Sequence, residues 1–319
     1  MRTLSSTVYG RTTNSFDFYA IYSKIHANMY GETRQVGEDT DIVGWDRFLV
    51  KVVQEFAEEN DIKLDLISTG WIMRLQKDGT TRFIFGLDLG LNNSSNKLLA
   101  RDKAATSDIL ELEGIAHIPH KLFLKPKSLA SNPDGNWHTI LKYYKEYGED
   151  VVCKPNFGSS GMGVERATTQ AELEQIMQKL LVENRAVAVS PYVEMTAEYR
   201  VTVLDGVAEL VYKKTKENPE DLKFNLCKGA YAEEETNEEI RHRVSELAVA
   251  AANACGMRFT NVDVAAGAER SRSTETPKSN FSVLEMNSGV MFEHYAKQGD
   301  SERDNARAVY RKALAKLFK

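Results

Sequence analysis

Glu285 and Asn287 stand two residues apart in Val283-Leu284-Glu285-Met286-Asn287-Ser288-Gly289, a run with the composition of a strand. Strand alternation puts the two on one face, with Val283 beside them and Leu284 and Met286 on the other. A carboxylate and an amide oxygen side by side are hard ligands suited to magnesium, which completes its octahedron with phosphate oxygens or water. Asn261-Val262-Asp263-Val264 offers a further carboxylate on another apolar strand. Metal-bound phosphates also need cations, and Lys103 and Lys154 lie earlier in the chain.

Lys154 ends the apolar run Val151-Val152-Cys153 and leads into Pro155-Asn156-Phe157-Gly158-Ser159-Ser160-Gly161-Met162-Gly163. Glycines let a backbone approach phosphate closely, and successive N–H groups can cradle an anion. Taken alone, the same loop reads equally well as a flexible turn. No Gly-Lys-Ser/Thr follows, so it is not a Walker loop. The elements on both sides look like strands, which does not fit a dinucleotide fingerprint. Lys103 heads a helix in Arg101-Asp102-Lys103-Ala104, where an ordinary exposed lysine is the plain reading. As a set, these residue types describe a place where ATP activates a second molecule.

The elements that must position them follow from periodicity. Trp45, Phe48, Leu49, Val52, Val53 and Phe56 recur at helical spacing before the polar Glu58-Glu59-Asn60-Asp61. Residues 63–68 read as a buried strand, and 71–75 and 81–85 flank Asp78-Gly79, a hairpin signal. Residues 92–96 form a polar joint, and a helix over 97–113 is closed by Gly114. Helices are expected over 172–184, 237–254 and 301–319, with a strand at 186–189. Residues 200–204 and 207–212 flank Asp205-Gly206, a second hairpin. The polar stretch 267–280 reads as a mobile loop between the strands of Asp263 and Glu285. Residues 11–44 give no regular element.

The chain of 319 residues has room for two or three packed subdomains and a substantial core. Its 42% hydrophobic and 27% charged residues are ordinary for a globular protein. A net charge of −5 lacks the basic footprint of a nucleic-acid binder. Cys153, Cys227 and Cys255 form no CxxC pair, so a zinc knuckle is not expected and a reducing cytoplasm is. No signal-peptide core opens the sequence, and no run of about 18 apolar residues suggests a membrane span.

Read in order, these segments resemble the ATP-grasp superfamily, and within it the RimK-like carboxylate–amine ligases. The resemblance rests on Arg101-Asp102-Lys103 before a helix ending at Gly114-Ile115, and on Val152-Cys153-Lys154-Pro155 before the glycine loop. It continues through Val189-Ser190-Pro191-Tyr192-Val193, Glu198-Tyr199-Arg200-Val201 and Asn225-Leu226-Cys227-Lys228-Gly229 to Asp263 and Glu285-Met286-Asn287. It covers roughly residues 97–317, about two thirds of the chain.

What it implies is an α/β fold in which two α+β subdomains grip ATP. Residues 97–189 would carry the glycine loop and 190–319 the metal-binding strands, behind an α/β domain over 1–96 that contributes to substrate binding. Lys103 and Lys154 would hold the phosphates, with Gly158, Ser159, Ser160 and Gly161 closing over them. Ser190, Tyr192 and Val193 would form the adenine hinge, the Val193 N–H facing the base, and Glu198 would take the ribose hydroxyls. Arg200, Lys214 and Lys228 would be the catalytic cations that neutralise the transferring phosphate. Asp263, Glu285 and Asn287 would bind one or two Mg2+ ions, with Mn2+ as a substitute and Asn225 close by.

The pattern is departed from at several points. Ser190 stands where an acidic or amide residue is usual, and Pro191 has no N–H to offer. Lys228 replaces a common arginine with a point charge. Ser288-Gly289-Val290-Met291 replaces a proline-containing turn, and residues 267–280 separate Asp263 from Glu285.

The chemistry is coherent. A carboxylate is a poor electrophile; phosphorylation makes an acyl phosphate that an amine can attack. Phosphoryl transfer needs mainly positioning and charge neutralisation, so lysines, arginine and metal suffice without a serine or cysteine nucleophile. The expected protein is a cytoplasmic ATP-dependent ligase that joins a small-molecule or peptide carboxylate to an amine, with no nucleic-acid or membrane partner. A homodimer is expected by analogy only. A small-molecule kinase and a non-catalytic ATP-binding regulatory module are the alternatives.

Overall fold

The computed structural model describes residues 47–125, 136–158, 161–216, 226, 230–267 and 281–319. The readings made for 11–44 and 268–280, and the candidates Ser159, Ser160, Asn225 and Lys228, lie outside these residues.

Helix α1 (Phe48–Glu59) buries Leu49, Val52, Val53 and Phe56 of the apolar stripe that spacing predicts, together with Val50 and Ala57, and leaves Phe48 half-buried. An antiparallel meander follows, in the order β1 (Lys63–Ile67), β2 (Ile72–Lys77), β3 (Thr80–Phe85). The hairpin at Asp78-Gly79 is present, both residues having positive φ (48° and 74°) as a two-residue turn demands. β1 corrects one expectation. It is an edge strand with exposed ends and only Leu64 and Leu66 packed on the core, not a buried strand.

The single helix expected over 97–113 is two, α2 (Ser94–Arg101) and α3 (Lys103–Leu112). They break at Asp102, which is extended (φ −95°, ψ 105°) and accepts a hydrogen bond from the Ala105 N–H. A short acidic side chain competes with the helical backbone for that N–H, and here it wins. The polar joint expected over 92–96 is shorter, since residues 94–96 already belong to α2, and its two asparagines are tied down. Asn93 caps α2, and buried Asn92 donates to the Phe259 carbonyl while accepting from the Arg258 and Phe259 N–H groups.

A four-stranded antiparallel sheet has the order β4-β7-β5-β6: β4 (Lys121–Leu124), β7 (Ala186–Pro191), β5 (Val151–Pro155) and β6 (Glu165–Ala167). Helices α4 (Asn136–Glu146) and α5 (Gln170–Glu183) pack on one face through Ile140, Leu173, Met177 and Leu180. α5 opens with a capping box between Thr169 and Glu172.

A five-stranded antiparallel sheet has the order β10-β9-β8-β11-β12: β10 (Tyr231–Glu234), β9 (Val207–Thr215), β8 (Met195–Leu204), β11 (Phe259–Gly267) and β12 (Phe281–Asn287). Asp205-Gly206 turns β8 into β9, again with positive φ. Helix α6 (Glu238–Ala254), capped by Asn237, covers one face of this sheet. The short α7 (Glu293–Ala296) and the terminal α8 (Asp300–Ala315) join α1 and the meander in a further apolar core that includes Leu204, Tyr212 and Phe259.

β12 breaks the strict alternation read from its sequence. Asp263 pairs with Glu285 but Val264 pairs with Val283, so Leu284 is an extra residue, a β-bulge. Val283 and Met286 therefore both enter the apolar layer under α6, and Leu284 lines the cleft beside Glu285. Glu285 and Asn287 keep their common face.

Candidate active site

A cleft lies between the two larger sheets. Lys103, Lys154, Gly158, Gly161, Ser190, Tyr192, Val193, Glu198, Lys214, Asp263 and Glu285, all singled out from the sequence, line it. Arg200 and Asn287 reach it through their contacts with Asp263.

Alternation aims each strand. In β5, Val151 and Cys153 point into the core with α5, so Val152 and Lys154 face the cleft. In β7, Val187 and Val189 are core, and Ser190 faces the cleft opposite Val152. In β8, Ala197, Tyr199 and Val201 lie under α6, which turns Glu198 and Arg200 to the other side. Register then assembles the polar face: Glu198 pairs with Lys214, Asp263 with Arg200 and Glu285, and Asn261 with Asn287.

The contacts on that face are dense. Arg200 donates from Nε and Nη2 to the two oxygens of Asp263, each at 2.7 Å. Lys214 Nζ lies 3.0 Å from Asp263 Oδ1 and also binds Glu198. Asp263 is 1% exposed, Lys214 3% and Glu198 6%. Burial opposes ionisation of Asp263, but Arg200 and Lys214 overcome it and hold the carboxyl well below its usual range. Lys214 is held above its ordinary value: burial and Arg200 push it down, while Asp263 and Glu198 push it up and prevail. Burial, with the charge of Asp263, lifts Glu198 despite Lys214, which makes Glu198 the weaker acid of the two.

The donors fit magnesium in chemistry. Asn287 Nδ2 lies 3.4 Å from both Asp263 Oδ2 and Glu285 Oε1, so the amide and two carboxylates already converge. To act as a ligand, Asn287 would turn its amide and present Oδ1. Among the described residues no three His, Cys, Asp or Glu side chains form a metal site by themselves. Such a site suits an ion that takes part of its shell from phosphate and water.

The opposite side is cationic. Lys154 is 6% exposed and pairs with no carboxylate among the described residues. Burial pushes its pKa down to about 8, with Lys103 adding to the push and Glu285 and Glu198 opposing it. Lys103 donates from Nζ to the Gly158 carbonyl at 2.8 Å. Gly163 (φ +66°) packs so closely on Pro155 that a Cβ there would lie 3.0 Å from the ring, so this end of the loop requires glycine.

In the hinge segment, the Tyr192 N–H donates to the Asp150 carbonyl at 2.9 Å and Pro191 has none to give. Val193 lines the cleft, and its N–H makes no backbone hydrogen bond among the described residues. Arg166 stacks 3.4 Å over the Tyr192 ring and forks onto Asp150 with two 2.8 Å bonds, which fixes the hinge from behind.

Sequence reading missed the apolar walls, Ile118, Val152, Met195 and Leu284. Val152 was recoverable, since it lies two residues before Lys154 on the same strand face. Ile118 was not: it enters because residues 116–118 pair with β12 through the Ala116 and Val283 carbonyls.

The sequence profile of the RimK-like ATP-grasp domain matches residues 94–306. The chain belongs to the RimK-like ATP-grasp family. No curated protein matches it by sequence. Among solved structures it is similar to D-cycloserine synthetase (22% identity, 70% of this chain and 71% of that one, TM-score 0.50). It is also similar to a bifunctional glutathione synthetase from Pasteurella multocida (13% identity, 78% of this chain and 41% of that one, TM-score 0.50). A D-alanine–D-alanine ligase from Bacillus anthracis complexed with ATP is a further match (20% identity, 70% of this chain and 66% of that one, TM-score 0.49). The chain thus spans less than two thirds of the length of two of these three. At these identities the first two comparisons speak for the fold.

Proposed function

We propose that this protein is an ATP-dependent carboxylate–amine ligase acting on amino acids or peptides through an acyl phosphate, with ADP and phosphate as products. The observation that carries the reading is the division of one cleft into a cationic side, with Lys103 and Lys154, and a facing side where Asp263, Glu285 and Asn287 converge. On this reading residues 97–189 and 190–319 form the grip, and residues 1–96 contribute to substrate binding.

Lys103 and Lys154 bind the phosphates, and the glycine loop covers them. Glu198 holds the ribose. Asp263, Glu285 and Asn287 would hold magnesium, which supplies positive charge to the phosphate oxygens. Arg200, fixed by its fork onto Asp263, is oriented to neutralise the phosphoryl group as it moves to the substrate carboxylate, and Lys214 supports it from the same carboxylate. Lys228 is proposed as a further cation. The substrate amine then attacks the acyl carbon, the C–N bond forms, phosphate leaves with the C–O bonding pair, and the proton lost by the amine nitrogen passes to solvent.

The test is ADP and phosphate release from purified protein with magnesium and ATP, supplied with pooled amino acids and short peptides and followed by mass spectrometry. Equal ADP and phosphate with a product lighter by one water than its parts is the expected result. A stable phosphorylated product without free phosphate would mean a kinase, and tight ATP binding without turnover of any pool would favour a regulatory module. Glu285→Ala should abolish turnover and spare the fold; retained activity would sink the metal assignment.

A further inference from the structure

Asn156 was not among the candidate residues, yet it is fully buried between the two lysines proposed to hold phosphate. It leaves β5 two residues after Lys154, and its N–H extends the β5–β7 ladder to the Ala186 carbonyl at 3.1 Å. Its other polar groups are turned to the start of α3. The Asn156 carbonyl accepts from the Lys103 N–H at 3.4 Å, and its side-chain Oδ1 accepts from the Ala104 N–H at 3.1 Å.

The first four N–H groups of a helix have no partner within it. In α3 the Asp102 N–H bonds back to the Leu98 and Leu99 carbonyls, and the Asp102 carboxylate serves Ala105 (2.9 Å), while its carbonyl accepts the first intrahelical bond, from Thr106 (2.9 Å). Asn156, more than fifty positions away in sequence, serves Lys103 and Ala104. An isolated bridge between Asp102 and Phe157 runs alongside. The helix carrying Lys103 is therefore capped by the strand end carrying Lys154, and the cap fixes one lysine relative to the other. Asn156 Nδ2 is buried with no hydrogen-bond partner. Leaving a buried donor unpaired is costly, so packing alone would be served better by an apolar residue.

We propose that Asn156 is a positioning residue for nucleotide binding: through its side-chain cap on Ala104 it sets the spacing of Lys103 and Lys154, so that both meet one polyphosphate. The proposal rests on the reading of the cleft as an ATP site. Without the cap the start of α3 is free to shift, while Lys154 stays held in its strand. The predicted loss is in affinity for the nucleotide, not in the amount of folded protein.

The test is calorimetric titration of the full chain with magnesium–ADP, alongside thermal melts without nucleotide. Asn156→Ala should raise the Kd about ten-fold, the scale of one lost hydrogen bond at a buried site, with stoichiometry unchanged. Asn156→Ser keeps a neutral capping oxygen and should bind more tightly than alanine, between it and the parent. Asn156→Leu keeps the volume and removes the acceptor, and should match the alanine variant if that one folds poorly. Alanine and leucine variants that bind like the parent, or a serine variant as weak as alanine, would overturn the proposal. A parent protein that does not bind magnesium–ADP would overturn the ATP-site reading itself, and this proposal with it.

Discussion

Two buried lysines face the same cleft and have opposite electrostatic fates. Lys214 lies on β9 against Asp263 and Glu198, and its pKa is raised. Lys154 lies on β5, and burial pushes its pKa down to about 8. Both are nearly inaccessible, so exposure does not separate them. The difference is the company each keeps. On the five-stranded sheet, two cations and two carboxylates neutralise one another and stiffen the face. On the four-stranded sheet, a buried cation forms no ion pair among the described residues, and burial outweighs the pull of Glu285 and Glu198. A buried charge is tolerable if something pairs with it, and a polyphosphate would. On the proposed reading, the self-neutralised region serves stability as much as catalysis, and the unbalanced one serves binding.

This contrast can be broken by experiment. The largest effect should come from Asp263→Ala, which strips half-buried Arg200 of its anion and leaves buried Lys214 with Glu198 alone. Removing one partner of a buried ion pair costs about 3–5 kcal/mol, and urea unfolding would read it. A loss below about 1 kcal/mol, typical of exposed pairs, would show that the network is not a structural unit.

Lys154→Met should behave in the opposite way. Folding stability should hold or rise, because an unpaired buried charge is removed. Affinity for magnesium–ADP should fall about 100-fold, the worth of a strong charged hydrogen bond. A large drop in stability with unchanged affinity would reverse the comparison.

A smaller effect is expected from pH. Lys154 is charged below its pKa of about 8 and neutral above it. Nucleotide affinity should therefore be full near pH 7 and decline as pH rises through 8, and Lys154→Arg, which stays charged, should remove the step. Stability has the opposite sign. The folded pKa lies below the ordinary 10.5, so the unfolded chain holds more protons between about 8 and 10.5 and the penalty for burying this residue is progressively relieved across that window.

The smallest test concerns the strand itself. Cys153, next to Lys154 but turned into the core, has its thiol pushed up to about 12 by burial. It should resist iodoacetamide at pH 8 in the folded protein and react once the chain is unfolded. Rapid reaction in the folded state would mean that β5 faces the other way and that Lys154 does not line the cleft.

Much of the architecture was written locally. Apolar spacing marked α1, α6 and α8, and Asp78-Gly79 and Asp205-Gly206 marked two hairpins, because helix faces and tight turns depend on residues a few positions apart. What failed had competing local options. Asp102 could continue a helix or cap one, and only its bridge to Phe157 and the packing of α3 against Asn156 settle that it caps. Leu284 could obey alternation or bulge, and only pairing with β11 decides.

By itself, then, the sequence determined which chemistry is on offer: a glycine loop after a lysine, and a carboxylate and an amide two apart on a strand. Strand alternation is a two-residue rule, so it can aim a side chain without knowing its neighbour. Tertiary structure alone decided who meets whom. Asp263 meets Arg200 because β11 lies beside β8, Lys214 reaches the same carboxylate across β8 from β9, and Lys103 is tied to Lys154 because Asn156 crosses to α3. Those pairings join residues tens of positions apart. Burial then makes the pairing decisive, since inside a protein a charge with a partner and a charge without one behave as different groups.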